Sequence, residues 1–130
     1  MHLEKNYSET SDGIMLLAGH DVRDLVRQFG SPLVVILEEI VRFNCRAYTQ
    51  EMQKYPRSRV YYASKALLTT GLCRIIDEEG LGIDVVSQGE LQTALAAGFP
   101  AERILMHGNA KTTDDLAMAL RAGVGRIVID

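Results

Sequence analysis

Gly82-Ile83-Asp84-Val85-Val86-Ser87-Gln88-Gly89-Glu90-Leu91-Gln92-Thr93-Ala94-Leu95-Ala96-Ala97-Gly98 contains one complete structural unit. Its first five residues are a short apolar run rich in β-branched side chains, interrupted only by Asp84. Leu91, Ala94 and Leu95 then recur at helical spacing. Ser87 is placed to cap that helix, because its hydroxyl can accept an orphan backbone N–H. Gly98 sits where a left-handed residue would close it. The stretch reads as strand, tight turn, helix.

The same unit repeats from Ser31 onward. Apolar runs fall at residues 33–37, 59–64, 82–86, 103–107 and 126–130, with starts 26, 23, 21 and 23 residues apart. Between them lie helical patterns. Val41, Cys45, Tyr48 and Met52 share one face, Leu68, Leu72, Ile75 and Ile76 another, and Leu116, Ala119 and Leu120 a third. Gly80, Gly98 and Gly123 are the expected helix stops, Thr70, Ser87 and Thr112 or Thr113 the expected N-caps, and Pro56 ends the first helix. Strands alternating with helices through short loops imply a parallel sheet, so the fold class is α/β. A doubly wound nucleotide-binding sheet would carry a glycine-rich turn after its first strand. Here residues 33–37 run into Glu38-Glu39-Ile40 without a glycine, which favours a (β/α) barrel.

Residues 1–30 stand apart as an N-terminal extension, and 31–130 form the barrel portion. Residues 14–18 read as a short strand. Asp21 to Phe29 reads as a small amphipathic helix with Val22, Leu25, Val26 and Phe29 on one face, Asp21 as N-cap and Gly30 as stop.

Bulk composition narrows the function classes. At 47% hydrophobic and 24% charged, the chain has an ordinary globular balance that argues against disorder. A net charge of -3, with scattered Lys and Arg and no interleaved aromatics, gives no nucleic-acid stripe. No apolar run approaches a membrane span. The segment Met1-His2-Leu3-Glu4-Lys5-Asn6 is polar and lacks a signal-peptide core, so a cytoplasmic protein is expected. Cys45 and Cys73 form no close pair for zinc, and two buried free thiols are expected in preference to a disulfide.

In a (β/α) barrel the reactive groups lie at the C-terminal strand ends. Lys65 closes the second run. It is either a solvated boundary residue or an amine that its small neighbours Ala63, Ser64 and Ala66 leave room to react beside a flat ring. Asp84 sits inside a buried strand, where a carboxylate requires a structural partner or a functional role. Ser87 and Glu90 have capping-box spacing, which explains both without chemistry. His107 is the imidazole best placed for a site, since His2 and His20 lie outside the repeat; a hydrogen-bonded structural histidine is the plainer reading. Asp130 closes the fifth run.

Tyr62-Ala63-Ser64-Lys65-Ala66 resembles the Tyr-Ala-x-Lys-Ala segment of the group IV decarboxylases, whose lysine holds pyridoxal phosphate. The stretch Glu79 to Leu91 is similar, within that group, to the diaminopimelate decarboxylases. So are Ala96-Ala97-Gly98-Phe99-Pro100-Ala101-Glu102-Arg103-Ile104 and His107-Gly108-Asn109-Ala110-Lys111. The resemblance runs from about Gly13 to Asp130. It implies the first five strands or so of an alanine-racemase-like (β/α)8 TIM barrel, with the strand at 14–18 joining a C-terminal β domain. It implies pyridoxal 5'-phosphate on Lys65, with Ala63, Asp84, Glu90 and His107 near the cofactor. The implied reaction is decarboxylation of meso-diaminopimelate at its D centre to give L-lysine, in a homodimer. An ornithine- or arginine-type decarboxylase, or a non-catalytic homologue acting only by association, is the alternative. Ser64-Lys65-Ala66-Leu67-Leu68 departs from the commoner Val-Lys-Ala-Asn form and reads as a subfamily variant. A whole barrel takes about 250 residues. The later strands, with the phosphate loop and the acidic partner of the pyridine nitrogen, are therefore expected beyond this stretch, and the 130 residues alone are expected to be inactive.

Overall fold

The computed structural model describes residues 7–10 and 12–129, so the readings at His2 and Asp130 fall outside the described residues. The chain divides into two compact units after Glu39.

The first unit is built on a three-stranded antiparallel sheet. Strand β2 (Met15–Leu17) pairs with β1 (Tyr7–Glu9) on one side and β3 (His20–Asp21) on the other. Ala18 and Gly19 turn the β2–β3 hairpin with φ of 47° and 81°, the positive values that a two-residue hairpin loop demands. Asp21 ends β3 and caps α1 (Val22–Phe29), its carboxylate accepting the Arg23 backbone N–H at 2.8 Å. The strand expected at 14–18 is therefore present, with two partners too short to leave a periodic signal. The apolar face expected on α1 is only partly covered: Val22 and Leu25 are half-buried, while Val26 and Phe29 are exposed. Residues 33–37, expected as the first barrel strand, belong to neither sheet, and Val34 is 82% exposed. β-propensity alone makes no strand where the backbone has no hydrogen-bonded neighbour.

The second unit carries a four-stranded parallel sheet in the order β4 (Tyr61–Ala63), β5 (Gly82–Val85), β6 (Ile104–Met106), β7 (Arg126–Ile127). Each connection crosses by a helix: α3 (Thr70–Glu78), α4 (Gln88–Ala96) and α5 (Thr113–Ala122). α2 (Glu38–Met52) precedes β4. Sequence order equals spatial order, so the sheet has no switch point of the kind a doubly wound domain needs. This is the strand succession of a (β/α) barrel, as the repeat implied.

Register and alternation sort the side chains. Ile83 and Ile104 are paired, as are Val85 and Met106; these four are 0–1% exposed and meet Leu72, Cys73, Ile76, Leu91, Ala94 and Ala119 from the helices. Burying each large apolar side chain contributes about 1.5–3 kcal/mol. Ala63, Asp84, Leu105 and Arg126 make the row on the opposite face. Both cysteines are buried free thiols, and burial pushes each thiol's pKa up.

The helix ends follow the reading with one shift. Ser87 and Thr112 cap α4 and α5, but Thr69, and not Thr70, caps α3 by accepting the Leu72 N–H at 3.1 Å. Thr69 has the extended backbone that a cap requires, whereas Thr70 is already helical. Gly80, Gly98 and Gly123 all adopt positive φ just past their helices. On α2, Cys45 is buried as expected, but Tyr48 is 66% exposed and lines an open apolar pocket with Val60 and Tyr62.

One ion cluster ties α2 to the end of α3. Arg46 binds Glu79 through two hydrogen bonds of 2.7 Å each, and Arg42 adds one of 3.0 Å. The Glu79 side chain is 8% exposed, and these guanidinium hydrogen bonds pull its pKa from 4.5 to about 2. A carboxyl with a depressed folded-state pKa stabilises fully above its unfolded value and loses that contribution as pH falls through the folded one. Acid titration followed by circular dichroism is therefore expected to show stability falling between pH 4.5 and about 2, with Glu79→Gln flattening that slope. An unchanged slope in the variant would assign the acid sensitivity to other groups.

Candidate functional site

The C-terminal ends of β4, β5 and β6 bring together the residues singled out from sequence. β4 runs straight into a 3-10 turn, Ser64–Ala66, so Lys65 stands just past the strand end. Lys65 is exposed and makes no hydrogen bond or ion pair with the described residues. Ala63, exposed, is paired with Asp84 across the ladder, which puts a methyl group beside the carboxylate on the open face.

Asp84 is the carboxylate of this row, between Ala63 and Leu105. Its side chain is 19% exposed, and Oδ2 lies 3.5 Å from His107 Nδ1. Oδ1 is buried without a hydrogen-bond partner, the only such side-chain atom among the described residues. An unpartnered buried carboxylate oxygen costs about 1–3 kcal/mol or more, so it marks a place where a donor or cation belongs. His107 extends β6, its N–H bonded to Val85 O at 2.8 Å, which fixes it opposite the end of β5. Gly108 follows with φ of +102°, and a Cβ there would come within 3.2 Å of Val86 O. Only glycine brings this loop so close to β5. Lys111 donates to Gly108 O and braces the same turn.

Glu90 departs from the capping-box reading. Its backbone N–H does bond Ser87 Oγ at 3.3 Å, but its carboxylate does not return to Ser87. Oε2 instead accepts the Val86 N–H at 2.7 Å and the Ser64 hydroxyl at 2.8 Å. The reciprocal capping box forms one unit later, between Thr112 and Asp115, where hydrogen bonds from Thr112 hold the Asp115 pKa down. Ser64 also differs from expectation. At 2% exposed it opens no space beside Lys65; it points into the protein on the parity of Tyr62 and is held there by Glu90. A hydroxyl one residue before the lysine, on the helix-facing parity of the strand, was the signal for this contact.

Residues 38–130 match the family described as "Pyridoxal-dependent decarboxylase, pyridoxal binding domain". The chain belongs to that family. Diaminopimelate decarboxylase of Mycobacterium leprae is 45% identical over 126 residues, covering 97% of this chain and 26% of the relative. Diaminopimelate decarboxylase of Bacillus subtilis is 40% identical over the whole of this chain and 30% of its own length. The solved diaminopimelate decarboxylase of M. jannaschii in complex with L-lysine aligns with a TM-score of 0.81 at 29% identity, over 96% of this chain and 30% of that one. The chain thus spans under a third of the length of these relatives, and the part it spans is the beginning of the pyridoxal-binding barrel.

Pyridoxal phosphate is the cofactor of this domain, and the residues present suit it: a free amine, a small neighbour at Ala63 and an orphaned buried carboxylate oxygen close together at one sheet end. If Asp84 is kept for a ligand, its removal relieves the cofactor-free protein. Asp84→Ala is expected to leave cofactor-free stability unchanged or raised by about 1 kcal/mol, while lowering the added stability that the cofactor confers. Thermal unfolding of the complete protein with and without pyridoxal phosphate measures both. Equal destabilisation in the two states would make Asp84 a structural residue.

Proposed function

We propose that the protein of which this chain is part decarboxylates meso-diaminopimelate to L-lysine, with Lys65 as the residue that carries pyridoxal phosphate. The single observation that carries this reading is the unengaged Lys65 amine at the C-terminal end of β4, next to the strand that bears the orphaned Asp84 oxygen. When bound, the cofactor supplies an electron sink for the pair left behind as carbon dioxide departs.

The chain's own residues supply placement and charge. Lys65 offers Nζ as the attachment point. Asp84 would offer its unpartnered oxygen to a donor brought in with the cofactor or substrate, and its Oδ2 lies 3.5 Å from His107 Nδ1 at the mouth of β6. Ala63 leaves the adjacent ladder position unobstructed. Glu90 fixes the β5–α4 turn from below. The substrate assignment draws its support from the relatives called diaminopimelate decarboxylase and from the related structure with bound L-lysine. A cytoplasmic homodimer, as the family resemblance implies, completes the reading.

Two expected outcomes test it on the complete protein. Borohydride reduction of the cofactor-loaded enzyme, followed by peptide mapping, places the label on Lys65; label on Lys54 or Lys111 instead rejects the assignment. Carbon dioxide release from meso-diaminopimelate exceeds that from ornithine by roughly 10⁴-fold or more. A site built to pair the distal carboxylate leaves its polar groups unpaired around a simple amine. Comparable release from the two substrates rejects the substrate reading.

A further inference from the structure

Ser64 is the one buried polar side chain in the core of the described residues, and it directly precedes Lys65. A hydroxyl taken out of water needs a partner, and here the partner is a carboxylate from another strand–helix unit. Glu90 Oε2 receives two donors at once, the Ser64 hydroxyl at 2.8 Å and the Val86 backbone N–H at 2.7 Å. One oxygen thereby joins the turn after β4 to the turn after β5. Lys65 and Ala66, the other two residues of that turn, are both exposed, so Ser64 is its buried side. The helix holding Glu90 is itself fixed, with Leu91 and Ala94 fully buried and its N-terminus tied to Asp115 through the Gln88 N–H at 3.1 Å. The clasp therefore transmits the position of a rigid helix to the residue beside the amine.

We propose that Ser64 is a positioning residue: its hydroxyl, clasped by Glu90, sets the backbone orientation from which Lys65 reaches the cofactor. The proposal rests on the reading of Lys65 as the attachment lysine. It assigns Ser64 no contact with the cofactor or substrate. A loosened turn leaves Lys65 chemically intact but spreads Nζ over a wider range of positions, which slows attachment and the catalytic step more than it weakens substrate binding.

The experiment uses the complete protein, stripped of cofactor and then mixed with pyridoxal phosphate while the visible absorbance is followed. Ser64→Ala is expected to slow attachment roughly tenfold or more, the scale of one hydrogen bond to a charged group. It lowers kcat in the same proportion and leaves KM for meso-diaminopimelate within about twofold, as expected when ground-state binding is untouched. In a Glu90→Ala background, Ser64→Ala adds no further slowing, because the partner is already gone. Ser64→Cys keeps the volume with only a weak donor and slows attachment as well; this variant decides the matter should Ser64→Ala fold poorly. Wild-type attachment rates in Ser64→Ala or Ser64→Cys overturn the proposal, as does slowing that simply adds to that of Glu90→Ala. Borohydride mapping separates the two layers. Wild-type label away from Lys65 removes the attachment reading and this proposal with it, whereas label on Lys65 with an unchanged Ser64→Ala rate removes this proposal alone.

Discussion

The alternation of β5, a strand paired on both sides, constrains everything around it. With β4 and β6 as parallel neighbours, its residues have only two directions available, toward the helices or away from them. Ile83 and Val85 take the first and are fully buried; Asp84 must take the second. A shift of one residue in register would drive the carboxylate among Leu72, Ile76 and Leu91 and expose the two aliphatic side chains. The hydrophobic contacts that fold the second unit are therefore the same contacts that present Asp84 on the open face.

The other site residues inherit their places from that register. Ala63 is paired with Asp84, and His107 follows β6 with its N–H on Val85 O, so three strand ends are levelled against one another. The turns beyond them are then secured by a few polar contacts. Glu90 gathers Ser64 and Val86, Asp115 takes the Gln88 N–H, and Lys111 holds Gly108 O. Each contact reaches from one strand–helix unit to the next or braces a turn within one. The layout joins a stiff packed face to an open face with an unsatisfied carboxylate oxygen. A barrel site is built at the C-terminal ends of its strands, where Lys65 and His107 follow β4 and β6.

Much of this was legible before any coordinates. The spacing of apolar runs, the β-branched content of residues 82–86 and the caps Ser87 and Thr112 specify strand, turn and helix from local chemistry alone, and β5, β6, α4 and α5 form where they were expected. Residues 33–37 carry the same local signal without forming a strand, because propensity contains no information about a neighbour. The short strands β1 and β3 left no signal because two or three residues cannot display a period.

The site divides along the same line. Residue type and strand-end position singled out Lys65, Asp84 and His107 as candidates, each with a structural reading beside it, since a parallel strand followed by a helix exposes its C-terminal end to the site. They did not show where a side chain finds its partner. Glu90 has the spacing of a capping box, and only the approach of the β4 turn gives its carboxylate a better donor in Ser64. Likewise, no pattern in the sequence indicates that Asp84 Oδ1 lacks a partner, because that depends on every neighbour brought in from other strands. The sequence by itself determined the repeating strands and helices from β4 to α5, the caps at Ser87 and Thr112, and the chemistry available at their ends, all of which depend on neighbours within a few residues. The tertiary structure alone decided which of those groups meet and which is left unpaired, because contacts across 20 or more residues exist only once the chain has closed on itself.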